Sequence, residues 1–119
     1  GRVSAESAAV HFLKPADPVL NWPNKITSED FKGWIQERGI YFAEKPDKAY
    51  KKILGMKDPG EQEQQGSLIV GRYGEGRFIY TGLVFFRQLP AGIGGAYRLF
   101  ANLVANPNLQ KTNGTTKKE

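Results

Sequence analysis

Arg87 and Gln88 are the polar pair best placed for chemistry, lying between the apolar run Phe85-Phe86 and Leu89-Pro90. A guanidinium there can hold a carboxylate or phosphate in bidentate fashion, and a neighbouring amide can orient a ligand hydroxyl or amide. The competing reading, which is favoured, has both side chains satisfying loop carbonyls or a helix C-terminus. Trp22, Asn24, Trp34, Glu37 and Arg38 could form an aromatic and polar sugar platform. Anchoring of both tryptophans in the core, with Glu37 and Arg38 paired to neighbours, is the stronger expectation. Trp22 and Asn24 nevertheless stay with Arg87 and Gln88 as candidate ligand contacts.

The remaining chemistry is thinner. His11 is the single histidine and sits inside a strand-like apolar run, so a structural role is expected. A metal site using it would need carboxylates brought in from elsewhere. Asp58 and Glu61 could split acid and base roles if their surroundings drew their pKa values apart. Their Pro-Gly turn beside a Glu/Gln loop predicts instead that both are solvated and ionised. Gly92-Ile93-Gly94-Gly95 precedes a helix, where free N–H groups attract anions. It lacks the lysine and hydroxyl of a phosphate loop, and glycines that allow tight helix packing account for it better. Asn113-Gly114-Thr115 matches a glycosylation acceptor in a polar tail. There is no cysteine, which excludes a thiol nucleophile, a disulfide framework and cysteine-ligated metal. No catalytic residue, metal ligand or cofactor site is assigned.

The elements that must position these residues are readable in part. Residues 67–106 hold nearly all the core-forming sequence. Leu68-Ile69-Val70-Gly71-Arg72-Tyr73 and Arg77-Phe78-Ile79-Tyr80-Thr81-Gly82-Leu83 are rich in β-branched and aromatic residues, and Gly74-Glu75-Gly76 joins them. An antiparallel hairpin follows, with apolar residues on both faces of each strand and so an expectation of cover on both sides. A helix over residues 96–105 comes next, apolar around most of its circumference and so expected to be well buried. Upstream, Thr27 and Asp30 form a capping box, and Phe31, Trp34, Ile35 and Arg38 recur at helical spacing before Gly39. The pattern predicts a helix over residues 28–38 with Gly39 at its C′ position. Strands are expected over residues 8–13 and 40–43, with 50–56 leaning to strand. Residues 1–7 are expected to be extended or flexible, and 108–119 to form a disordered polar tail.

At 119 residues, 39% apolar and 24% charged, the chain is long enough for one domain with a real core, assigned to residues 1–107. Seventeen Lys and Arg against twelve Asp and Glu give a net charge of +5. These positive charges are scattered rather than striped among stacking aromatics, which disfavours nucleic acid. No apolar stretch approaches the ~20 residues that span a bilayer. The opening Gly1-Arg2-Val3-Ser4-Ala5 lacks a signal-peptide layout and an initiator Met, and a chain cut from a longer protein is expected.

Three blocks carry a resemblance. They are Asp17-Pro18-Val19-Leu20-Asn21-Trp22-Pro23-Asn24-Lys25-Ile26-Thr27, then Gly33-Trp34-Ile35-Gln36-Glu37-Arg38-Gly39-Ile40-Tyr41-Phe42, then residues 74–105. Together they resemble the C-terminal glutamine-amidotransferase-like region of large PIG-L (LmbE-like) deacetylase proteins from Bacteroidetes-type bacteria. YTGLVFFRQLPAGIGGAYRLF, residues 80–100, is the most specific part, and the resemblance covers residues 10–106. PIG-L enzymes deacetylate N-acetylated sugars with a zinc-bound water and a His-Pro-Asp-Asp motif that this chain does not carry. Class I glutamine amidotransferases use a cysteine with a His-x-Glu pair, also missing here, so no catalytic role transfers to any residue.

The reading that follows is an α+β fold, a short mixed or antiparallel sheet centred on the C-terminal hairpin and flanked by two or three helices. It resembles the C-terminal part of an amidotransferase-like α/β domain. The function implied is a non-catalytic accessory domain of a larger carbohydrate-active hydrolase, for substrate positioning or domain packing. Its partners would be the rest of that polypeptide and a carbohydrate, and the resemblance leans to an extracytoplasmic bacterial location. Two alternatives stay open: a fragment of an amidotransferase-like hydrolase with catalytic residues upstream, and a basic module for anionic polymers.

Overall fold

The computed structural model describes residues 1–105; the expected polar tail and the Asn113 acceptor motif lie outside the described residues. Five short strands form, β1 (Val10–Phe12), β2 (Lys51–Lys52), β3 (Leu54–Met56), β4 (Leu68–Tyr73) and β5 (Gly76–Thr81). Two α-helices follow, α1 (Phe85–Gln88) and α2 (Gly94–Val104), and two 3-10 turns, Pro18–Leu20 and Ser28–Phe31, precede the strand-rich middle. The fold is α+β, with antiparallel strand pairing throughout.

The hairpin is the centre of the larger sheet, in the order β2-β4-β5. Its register runs from Leu68 opposite Thr81 to Tyr73 opposite Gly76, and Gly74 takes φ 59° at the first central turn position. Positive φ there lets a two-residue turn follow the strand twist, and glycine adopts it without Cβ strain. β1 and β3 form a second, two-stranded sheet. The chain changes sheets at Ile53, whose N–H donates to Leu68 O at 3.0 Å and whose carbonyl accepts from Leu13 N at 2.8 Å. Ile53 is fully buried, so one apolar side chain closes the joint between the sheets. The core gathers there with Leu54, Met56, Leu68, Val84, Leu99 and Trp34.

The predicted helix over residues 28–38 is not formed. The capping box is present, with Thr27 and Asp30 bonding each other's backbone N–H region, but the turn ends at Phe31. Gly33 and Gln36 then take φ 77° and 66°, outside helical space. Contacts from distant chain override the local pattern here. The Trp34 indole N–H donates to Asp30 O at 2.9 Å, and the Ile35 backbone is bonded on both sides by Gln88. Gly39 is no helix terminator; it bridges Val3 on one side and Leu83 on the other. A Cβ on Gly39 would stand 2.6 Å from Gly82 O, so the close approach of three backbones selects glycine.

Other expectations are corrected by the same long-range ties. Residues 40–43 form no strand, because Tyr41 takes φ 56° and breaks the extended run. Residues 1–7 are not loose: Val3 is fully buried, and its N–H donates to Gly39 O at 3.0 Å. The 50–56 strand leaning is met by β2 and β3, and the 8–13 strand by β1. α2 starts two residues before the predicted position, and only Ala96, Leu99 and Asn102 of it are buried. The well-buried helix is therefore corrected to one with a narrow inner face. Cover on both faces holds for β4, where Leu68, Ile69, Val70 and Gly71 are all buried, but not for β5, which alternates exposed and half-buried residues. No helix among the described residues is long and apolar enough to cross a membrane.

Candidate functional site

Arg87 and Gln88 lie on α1, not on a loop leaving the sheet. Gln88 is fully buried: its Oε1 accepts from Ile35 N and its Nε2 donates to Ile35 O, each at 2.9 Å. Both ends of the amide are engaged by the backbone N–H and carbonyl of one residue, so the side chain is held inside the fold. The Arg87 guanidinium rests over the Phe86 ring, 5.0 Å from its centroid, with Nε 3.3 Å from Glu37 Oε1. Glu37 is buried and also faces Arg2 at 3.6 Å, so it sits between two arginines. Arg87 keeps part of its surface exposed and is the less confined of the two.

Trp22 and Asn24 do not assemble a platform with Arg87. Trp22 is half-buried behind the Pro18–Leu20 turn, its N–H bonded to Pro18 O at 2.9 Å. Asn24 is tied to α2: its N–H donates to Asn102 Oδ1 at 2.9 Å, and its carbonyl accepts from Asn102 Nδ2 at 2.7 Å. Asn102 Nδ2 also donates to Val19 O at 2.8 Å. A fully buried asparagine thus staples the 19–24 segment to the helix, and Asn24 serves that staple. Trp34 is a core residue, 2% exposed, as expected. Arg38 donates to Ala8 O and Phe31 O, and burial draws its pKa below the ordinary arginine value.

Asp58 is engaged rather than solvated, accepting from Ser4 N at 2.9 Å and Ala5 N at 2.7 Å. Its pairing with Glu61 therefore gives no acid–base couple. In the glycine run, a Cβ at Gly95 would lie 1.9 Å from Asp30 O, so the close packing of α2 on the Ser28–Phe31 turn requires glycine there. His11 gains a partner that its strand gave no sign of: Nδ1 lies 2.5 Å from Glu63 Oε1 on an exposed surface. The hydrogen bond to His11 holds the Glu63 carboxyl below its usual range. Among the described residues, no three His, Cys, Asp or Glu side chains converge as metal ligands.

A cavity of about 590 Å³ opens where the hairpin turn meets the end of α2, with Asp17, Lys51, Arg72, Glu75 and Arg77 among its polar lining. Lys51 Nζ lies 2.5 Å from Asp17 Oδ2, and Arg77 Nη2 donates to the carbonyls of Asn102, Leu103 and Ala105 at the helix C-terminus. These carbonyls have no partner within the helix, and a guanidinium there both caps them and meets the negative end of the dipole.

Two surfaces remain that no residue-by-residue reading singled out. On α1 and α2, Phe86, Tyr97, Phe100 and Val104 are exposed, by 39 to 69%. The last three share one side of the helix by spacing. On the outer face of the three-stranded sheet, Tyr50 lies flat on Gly71 and meets Phe78 with ring centroids 5.9 Å apart. Tyr80 lies on the same face and donates its hydroxyl to Tyr41 O. Phe78 and Tyr80 alternate along β5, and folding brings Tyr50 against Phe78 and the Tyr41 carbonyl to the Tyr80 hydroxyl. Comparison with family models, characterised proteins and solved structures finds no match to this chain.

Proposed function

We propose that this chain is a non-catalytic accessory module of a larger carbohydrate-active hydrolase of the PIG-L, N-acetylglucosamine deacetylase type. It packs against the catalytic domain or positions its substrate. On this reading the α+β fold is the C-terminal part of an amidotransferase-like domain.

The observation that carries it is the apolar surface of α1 and α2, where Phe86 and Val104 are 61% and 69% exposed. Contiguous exposed apolar residues mark a surface that another protein surface covers. Docking also suits two of the polar candidates, since Gln88 bonds the Ile35 backbone and Asn24 bonds Asn102 on α2. The test is sedimentation velocity of the chain mixed with a PIG-L catalytic domain. A complex is expected, and the pair Phe86→Ser with Val104→Lys should abolish it. Two results would overturn the reading: no complex with the unsubstituted chain, or hydrolase activity of the isolated chain that disappears with His11→Ala.

A further inference from the structure

The geometry points to the outer face of the three-stranded sheet as a carbohydrate-binding platform, taking a neutral or weakly charged chain of pyranose sugars. It rests on the reading of the chain as a carbohydrate-associated module and assigns the sugar to a specific surface.

The platform is built by register. Gly71 pairs with Phe78 and Ile69 with Tyr80, so both aromatic side chains project to the same side. Lys52, opposite Ile69, joins them, while Lys51 turns to the other side and meets Asp17. Gly71 has no side chain, and the Tyr50 ring fills that space; a Cβ would stand 2.5 Å from it. Phe78 remains 51% exposed and Tyr41 78%. A ring half-open on a rigid sheet offers its face to the apolar C–H side of a sugar ring, and tyrosine hydroxyls at its edge can meet sugar hydroxyls.

The rim decides between ligand classes. On the face itself the one charged residue set by register is Lys52, and in the adjoining 41–50 loop Glu44 pairs with the Gly1 ammonium at 3.4 Å while Asp47 accepts from Ala49 N. Non-specific single-strand nucleic-acid sites combine stacking rings with a positively charged groove that follows the phosphates. A single lysine beside the rings makes no such groove. Mixed donors and acceptors instead match a polyhydroxylated chain, whose hydroxyls both donate and accept.

The experiment is an amide chemical-shift titration of the 119-residue chain with a β-linked N-acetylglucosamine tetramer, and separately with an oligouridylate. Saturable shifts with the sugar are expected at Lys52, Gly71, Phe78 and Tyr80, and Phe78→Ala should weaken binding by at least about fivefold. Tyr41→Ala, at a more exposed position, serves if Phe78→Ala fails to fold. The proposal is overturned by any of four results: no shifts with the sugar, shifts confined to another surface, unchanged affinity in the folded variant, or response to oligouridylate alone. Sugar binding without a complex in the sedimentation test refutes the docking reading only. A complex without sugar binding refutes only the platform.

Discussion

Gln88 bonds both the N–H and the carbonyl of Ile35, a task only a side chain with a donor and an acceptor can perform. Gln88→Ala would leave the Ile35 N–H and carbonyl unpaired beside a new void, at a cost of about 2–4 kcal/mol. Urea unfolding of the variant checks this, and the same loss is expected for Asn102→Ala. Arg87→Ala should cost less, about 1 kcal/mol or below, because its guanidinium is partly exposed to water. His11 and Glu63 make a prediction in pH. The Glu63 pKa is lower when folded, so its contribution is complete above the ordinary carboxylate range and fades as pH falls through the folded value. A carboxyl-carbon NMR titration should place Glu63 below the usual range, and His11→Ala should raise its midpoint.

Close backbone approach sets the limits on the elements. Gly94 and Gly95 are adjacent at the start of α2, yet their surroundings differ: nothing lies within 4 Å of a Cβ at Gly94, while a Cβ at Gly95 would stand 1.9 Å from Asp30 O. Gly95→Ala must push the helix off the Ser28–Phe31 turn and is expected to cost about 1–3 kcal/mol. Gly94→Ala should be neutral or stabilising by about 0.5–1 kcal/mol, since alanine restricts the unfolded chain and favours helix. Thermal unfolding of the two variants side by side tests the contrast. Where an element depends on its own residues it was legible beforehand: the hairpin, the capping box and the bulk of α2 follow from local pattern. The 28–38 segment was misread because Gln88, fifty-three residues away, bonds its backbone, and a helix would have withdrawn those groups.

At the scale of the molecule, two sheets share the joint at Ile53, and α2 covers only one side of the assembly with a narrow inner face. Of the outward residues of α1 and α2, Phe100 packs edge-on against Phe85 with ring centroids 5.5 Å apart and Tyr97 donates its hydroxyl to Leu89 O, which leaves Phe86 and Val104 as the most exposed. Phe86→Ser with Val104→Lys should change unfolding free energy by no more than about 1 kcal/mol while abolishing association with a catalytic domain. Denaturation of the isolated chain, run beside the sedimentation test, separates a surface effect from a folding one.

By itself the sequence determined the strands of the hairpin, its glycine turn, the Thr27–Asp30 cap, the core role of Trp34 and the α+β class. Each rests on residues within a few positions of one another, where alternation, propensity and capping act. It also singled out Arg87, Gln88, Trp22 and Asn24 as polar or aromatic residues in unusual places. For Arg87, Gln88 and Asn24 only the tertiary structure decided their contacts, because their partners, Glu37, Ile35 and Asn102, are set by folding rather than by spacing. The same holds for the surfaces left open. Phe78 and Tyr80 alternate within β5, but only folding sets Tyr50 beside Phe78 and the Tyr41 carbonyl against the Tyr80 hydroxyl.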